Sequence, residues 1–119
     1  MKTINRSAVI IRKKAPFLNW LKSLPDHELV EDLNLEEIND EDSIYFFPDY
    51  ENLQELEDCL EENCQIIFEH QMEEWWTEEN EWEKNFSWDN FKTWFDFSFC
   101  SMPLDLVYDE NLIEEDYQG

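Results

Sequence analysis

Residues 52–76, NLQELEDCLEENCQIIFEHQMEEWW, are the stretch that decides the fold. Their apolar side chains recur at steps of three and four, which places them in one stripe along a helix, with most of the acidic residues on the other side. As one helix the stretch is about 36 Å long at 1.5 Å per residue, enough to cross a small domain. The stripe consists of Leu53, Leu56, Leu60, Cys64, Ile67, Phe68, Met72 and Trp75.

The start of this helix is better marked than its end. Asp49 can cap a turn that begins at Tyr50, or Asn52 can form a capping box with Glu55. No glycine follows the stretch, and glutamates crowd its last turn, where the helix dipole disfavours negative charge. We therefore expect fraying or a bend near Thr77.

Shorter patterns predict the other elements. The run at 5–14, NRSAVIIRKK, indicates a strand buried on both faces, which places Ile10 in the core. SIYFFP at 43–48 predicts a second strand that ends at its proline. The remaining elements are a helix between Ala15 and Pro25, a helical turn at 34–38, a helix capped by Ser87 that runs through Phe95, and a half-buried strand from Phe97 onwards.

The order of these elements predicts an α+β fold, with α/β as the alternative. We expect a small sheet of about three strands, the first one central, packed with the long amphipathic helix and two or three short helices. A right-handed crossover would make the first two strands parallel. We expect residues 1–108 to form a single globular domain and residues 109–119 to form an acidic, flexible tail.

The charge of the chain is large and unevenly spread. The formal net charge is −23, and because six of the eight basic residues precede the first acidic one, residues 1–22 carry +6 and residues 23–119 carry −29. This balance excludes direct binding of nucleic acid or of an anionic membrane as a main function, since both need a basic surface. It favours a basic protein partner or, as the simpler alternative, solubility alone.

The pattern of apolar residues and cysteines predicts a cytoplasmic protein. No apolar run approaches the length of a membrane span, and the apolar residues near the start are too few for a secretory leader. The three cysteines, Cys59, Cys64 and Cys100, are an odd number and do not suggest a disulfide framework. We expect them to be small residues of the core or its boundary.

Residue types that support common chemistry are scarce. The only glycine is Gly119, which excludes phosphate-binding loops, dinucleotide fingerprints and nucleophile elbows. The two histidines, His27 and His70, do not have metal-ligand spacing, and Cys59 and Cys64 point about 140° apart on a helix. We expect no enzymatic activity, no cofactor and no metal.

The segment EEWWTEENEWEKNFSWDNF at 73–91 sets carboxylates among tryptophans and allows several hypotheses. Paired carboxylates beside aromatic rings would suit a small glycosidase-like enzyme. Exposed aromatic side chains would suit a homodimeric structural subunit. The simplest alternative is that Trp75, Trp88 and Trp94 belong to the core, with only Trp76 or Trp82 exposed.

Our preferred hypothesis is a non-enzymatic interaction protein that binds a basic protein partner, as a nucleic-acid mimic or inhibitor. Four acidic residues at steps of three, four and seven would form a ridge about 21 Å long on the long helix, which we call the acidic ridge. Two tryptophans would anchor one end by cation–π contact. The ridge is Glu55, Asp58, Glu62 and Glu69, and the tryptophans are Trp76 and Trp82.

Three segments carry a resemblance to known proteins. They are NRSAVIIRKKAPFLNWL at 5–21, EEWWTE at 73–78 and WDNFKTWFD at 88–96. Together they resemble an uncharacterised family of small acidic bacterial cytosolic proteins, and the resemblance spans most of the chain. It implies a bacterial origin and a whole-chain domain. Because that family has no assigned activity, the resemblance transfers no functional residue.

The charge predicts how stability responds to solution conditions. Folding concentrates the −29 of residues 23–119 in a small volume, so we expect screening by about 0.5 M salt to raise the melting temperature. The compact state should also bind protons more readily than the unfolded chain, so stability should increase as the pH falls from about 7 to 5. Thermal unfolding followed by circular dichroism measures both effects. A melting temperature that falls both on addition of salt and on acidification would mean that specific ion pairs stabilise the fold by more than charge repulsion destabilises it.

Overall fold

The computed structural model describes residues 1–26, 28 and 30–117. His27, one of the two histidines without metal-ligand spacing, lies outside these residues. The elements are β1 (Lys2–Thr3), β2 (Arg6–Lys13), α1 (Ala15–Ser23), α2 (Leu35–Ile38), β3 (Ser43–Pro48), α3 (Leu53–Glu73), a 3-10 turn (Glu79–Glu81), α4 (Trp88–Trp94), β4 (Phe95–Cys100) and β5 (Leu104–Asp105). This is the predicted α+β fold.

The central position of the first long strand is confirmed, but its predicted direction relative to the second is wrong. The main sheet has the order β3-β2-β4, and both pairings of β2 are antiparallel. After β2 ends, the chain turns back and begins β3 at the end of the sheet where β2 finished, with Ser43 opposite Ile11. Asn39 holds it there, because its side chain accepts a hydrogen bond from the Lys13 amide at 2.8 Å and donates one to the Lys13 carbonyl at 2.9 Å.

The expected burial of β2 on both faces holds only in part, since on the outer face Ala8 is buried and its neighbours are not. Val9 and Ile11 point to the inner face of the sheet, where they are 0% and 1% exposed. Ile10 points to the outer face and is only half-buried, and Arg12 on the same face is exposed. The buried residues of the helices pack with Val9 and Ile11 on the inner face, so the sheet and its helices form two layers.

Helix α3 provides most of the helical side of the core. Its predicted apolar stripe is buried from Leu56 to Met72, whereas Leu53 in the first turn remains 69% exposed. Phe68 lies at the centre of an aromatic cluster, with its ring centroid 5.0 Å from that of Phe95 and 5.1 Å from that of Trp94. Such edge-on and tilted ring pairs add to the free energy gained from apolar burial.

The ends of the helices are set by local hydrogen bonds. The Asn52 side chain accepts from the Glu55 amide at 2.9 Å, which selects Asn52 over Asp49 as the cap of α3. Ser87 caps α4 in the same way, by accepting from the Asn90 amide at 3.2 Å. Helix α3 ends at Glu73, a few residues before the expected bend.

The two ends of the chain lie beside each other in space. β1 and β5 form a separate antiparallel pair, in which Lys2 is opposite Asp105. Residues 109–117 contain no helix or strand. Their recorded contacts include an Arg6–Glu114 ion pair at 3.8 Å and a hydrogen bond from the Tyr117 hydroxyl to Glu74 at 2.7 Å. The flexibility of the 109–119 segment remains a prediction.

The two faces of β2 predict opposite outcomes for neighbouring substitutions. Val9→Asp places an unpaired charge in the core and should lower the free energy of unfolding by about 3 kcal/mol or more. Ile10→Asp places the same side chain on the outer face and should lower it by about 1 kcal/mol. Urea unfolding measures both. An equal loss in the two variants would show that the outer face is covered as well.

Candidate protein interaction surface

The acidic ridge lies on the side of α3 that faces away from the core. Glu55, Asp58 and Glu62 are exposed, and Glu69 is half-buried. The buried side of the helix carries Leu56 and the rest of the apolar stripe. The helix thus presents the four carboxylates in one row along its outer side, as the spacing predicts.

The ridge carboxylates contact neutral side chains of their own helix. Gln54 donates to Asp58 at 2.8 Å, and Gln65 donates to Glu69 at 2.9 Å. Within the part of the chain that the structure describes, no basic side chain lies within 4 Å of any of the four carboxylates. Their negative charge is therefore available to a partner.

The predicted tryptophan anchors lie near the Glu69 end of the ridge. Trp82 and Glu69 line the same small cavity of about 190 Å³, next to Phe86. The Trp82 indole donates to the Trp76 carbonyl at 2.7 Å, and both rings are half-buried against the core. Trp82 thus adjoins the ridge, but each tryptophan can offer a partner only part of its surface.

A polar network that we did not predict from the sequence lies where α3 ends. Gln71 donates to the Tyr45 hydroxyl at 2.8 Å, and that hydroxyl shares a hydrogen bond with Nδ1 of His70. Nε2 of His70 lies 2.9 Å from Glu74, which also accepts from Tyr117. The His70 ring thus links Tyr45 on β3 to Glu74 directly after α3.

Two residues of this network had a recognisable signal in the sequence. His70 and Glu74 are four residues apart on one helix, a spacing at which side chains meet. The contribution of Tyr45 could not be found in this way, because it comes from β3, which only the tertiary fold brings next to α3. His70 is half-buried, in agreement with a residue at the boundary of the helix.

Burial raises the pKa of Tyr45 to about 12, and the nearby Glu74 carboxylate acts in the same direction, whereas the hydrogen bond from Gln71 acts against both. Tyr117 is exposed, and its hydrogen bond to Glu74 raises its pKa. Both hydroxyls therefore keep their protons at neutral pH.

A mostly apolar groove of about 650 Å³ runs between β3 and the second half of α3. We call it the β3–α3 groove. Ile66, which is 66% exposed, lines it from the helix, whereas Ile44, which is 58% exposed and belongs to the outer face of the sheet, borders it at the edge of the strand. The remaining lining is Ser43, Tyr45, Glu69, His70, Glu73, Glu74 and Tyr117.

A second cavity, of about 460 Å³, adjoins the groove, since Ser43 and Glu74 line both. Lys13 lies in its wall and is only 8% exposed, with its amine 3.3 Å from the Ile38 carbonyl. Burial lowers the pKa of Lys13, although Asp42 and Glu74 act in the opposite direction. The rest of the wall is strongly acidic, with Glu37, Asp40, Glu41 and Asp42.

The carboxylates of the glycosidase hypothesis are open to solvent. Glu73, Glu74, Glu78, Glu79 and Glu81 are exposed, and Glu83 is half-buried. The apolar enclosure typical of a carboxylic acid catalyst is not formed around the exposed five. Among the described residues, no group of three or more His, Cys, Asp or Glu side chains is placed to hold a metal ion.

Comparisons of this chain with protein-family models, with curated proteins and with solved structures found no match. None of the helices in the described ranges combines the length and the apolar character that a membrane span requires. Function is therefore inferred from the surface itself.

The pKa of Tyr45 predicts a loss of stability at alkaline pH. The unfolded chain releases this proton near pH 10 and the folded state near pH 12, so between these values the folded state binds more protons and stability falls as the pH rises. Tyr45→Phe should lessen that decline by about 1–2 kcal/mol. Urea unfolding at pH 9 to 11.5 measures it, with exposed Tyr108→Phe as the control. Equal declines in the two variants would contradict the assignment.

Proposed function

We propose that this protein is a non-enzymatic interaction protein that binds a basic protein partner through the acidic ridge of α3. One observation supports the proposal above all. The ridge carboxylates are aligned along one exposed helix face and have no basic partner within 4 Å in the described residues. In a protein with a net charge of −23, such a face attracts and orients a basic surface.

The two tryptophans would add a cation–π contact to the charge attraction. Trp82 lies beside Glu69, where its half-exposed ring can stack on a basic side chain of the partner, and the Trp76 carbonyl accepts a hydrogen bond from its indole.

The specific form of the function that the charge favours is inhibition of a nucleic-acid-binding protein by mimicry of the phosphate backbone. A cytoplasmic location fits the three free cysteines, Cys59, Cys64 and Cys100.

The two other hypotheses have less support. The exposure of its candidate carboxylates does not support the hypothesis of a glycosidase-like enzyme. A homodimer has one argument in its favour, the exposed Ile44 and Phe46 on the outer face of the sheet. It is opposed by the repulsion between two chains that each carry −23.

The proposal predicts that removal of the ridge charges abolishes salt-dependent association. The ridge variant changes Glu55, Glu62 and Glu69 to Gln and Asp58 to Asn, which keeps side-chain size and removes four charges. A partner recovered from lysate is identified, purified and titrated by calorimetry. We expect its affinity for the parent chain to fall at least tenfold between about 50 and 500 mM salt, and to be at least tenfold weaker for the ridge variant at low salt.

A matched control separates the ridge from general acidity. The control variant removes the same number of charges from exposed residues near the end of the chain: Asp109→Asn, Glu110→Gln, Glu115→Gln and Asp116→Asn. We expect it to change the affinity for the partner less than twofold. A partner that binds the ridge variant as tightly as the parent, without salt dependence, would contradict the proposal.

A further inference from the structure

The edge of β3 is open for pairing with another strand. β3 is an outer strand of the sheet, since the order is β3-β2-β4 and, among the described residues, β3 pairs with β2 alone. Alternate residues of such a strand direct their backbone N–H and C=O groups away from the sheet. No backbone hydrogen bond from another described segment reaches Ser43–Pro48 on that side. The six residues of β3 offer an edge about 20 Å long.

The two faces beside this edge have different chemistry. On the helix side lies the β3–α3 groove, where apolar Ile66 is flanked by Glu69 and Glu73. On the outer face of the sheet, Ile44 and Phe46 are 58% and 56% exposed. A strand added at this edge would therefore direct alternate side chains towards a groove rimmed by glutamates and towards an apolar surface.

We propose that the β3 edge binds an extended segment of the basic partner as an additional strand, with basic and apolar residues in alternation. This assignment rests on the proposed function, and it specifies the kind of segment that the partner contributes. Charge complementarity selects the occupant, because Glu69, Glu73 and Glu74 rim the groove. Among the described residues, no Lys or Arg side chain lies within 4 Å of these three carboxylates, and His70 lies next to Glu74.

Side-chain geometry explains why alternation is required. The aliphatic stems of Lys or Arg would pack on Ile66 and Tyr45 while their charged ends reach the glutamates on the rim. The apolar residues between them would extend the exposed surface of Ile44 and Phe46 and remove it from water. Main-chain hydrogen bonds supply affinity in such strand additions, and the alternating side chains supply specificity.

Peptides test strand pairing directly. The probe is a fluorescent seven-residue peptide of alternating lysine and valine, titrated into the full chain at about 50 mM salt. Two further peptides carry N-methyl groups, one on every valine amide and the other on every lysine amide, so each blocks one edge of the added strand. We expect the unmethylated peptide to bind and only one methylated peptide to lose at least tenfold in affinity. Failure of the unmethylated peptide to bind, or equal affinities of the two methylated peptides, would overturn the proposal.

Paired variants of α3 locate the site. Glu69→Gln with Glu73→Gln removes two charges from the groove, and Glu57→Gln with Glu61→Gln removes two from exposed residues towards the far end of the same helix, outside the acidic ridge. We expect the groove pair to weaken binding of the unmethylated peptide at least fivefold and the far pair less than twofold. Equal losses would show general electrostatic attraction without a site at β3.

Two further outcomes separate this proposal from the proposed function. If the peptide fails to bind but the purified partner still distinguishes the ridge variant from the parent, the β3 edge is wrong and the proposed function holds. If sedimentation shows a dimer that the peptide does not dissociate, a second copy of the chain occupies the edge, which overturns the proposal.

Discussion

The burial of the α3 apolar stripe against the inner face of the sheet is the interaction on which the rest of the structure depends. It orders a 21-residue helix whose mean composition is acidic, and it brings Phe68 into contact with the aromatic residues of α4 and β4. Because the apolar stripe occupies the buried side of α3, the carboxylates of the helix are concentrated on its outer side. The acidic ridge is thus a consequence of how the core is built.

The same packing creates the features at the end of the helix. The second half of α3 lies beside β3 without covering its edge, which leaves the β3–α3 groove between them. Tyr45 and His70 meet across this contact, and their network, together with Glu74, fixes the position of the helix end against the strand. The ridge and the groove share Glu69, so a single partner can contact both.

Local periodicity predicted the elements well and their mutual arrangement less well. The α3 stripe from Leu56 to Met72, the Ser87 cap and the central β2 are confirmed, and Asn52 is the cap of α3 among the two predicted. The direction of β3 depends on the contact of Asn39 with the backbone of Lys13, which no spacing rule reveals. The partial exposure of Ile10 depends on the absence of a second layer over the outer face, a tertiary property that the apolar run itself does not contain.

The central claim is that a basic partner binds along the outer side of α3 and the edge of β3. Hydrogen–deuterium exchange of the full chain, alone and saturated with the purified partner, tests it most directly, because amide protection reports contact along the backbone. The account predicts slower exchange in 43–48 and 62–74, with little change in 88–100. Protection confined to 88–100 or to the 109–117 segment would contradict it.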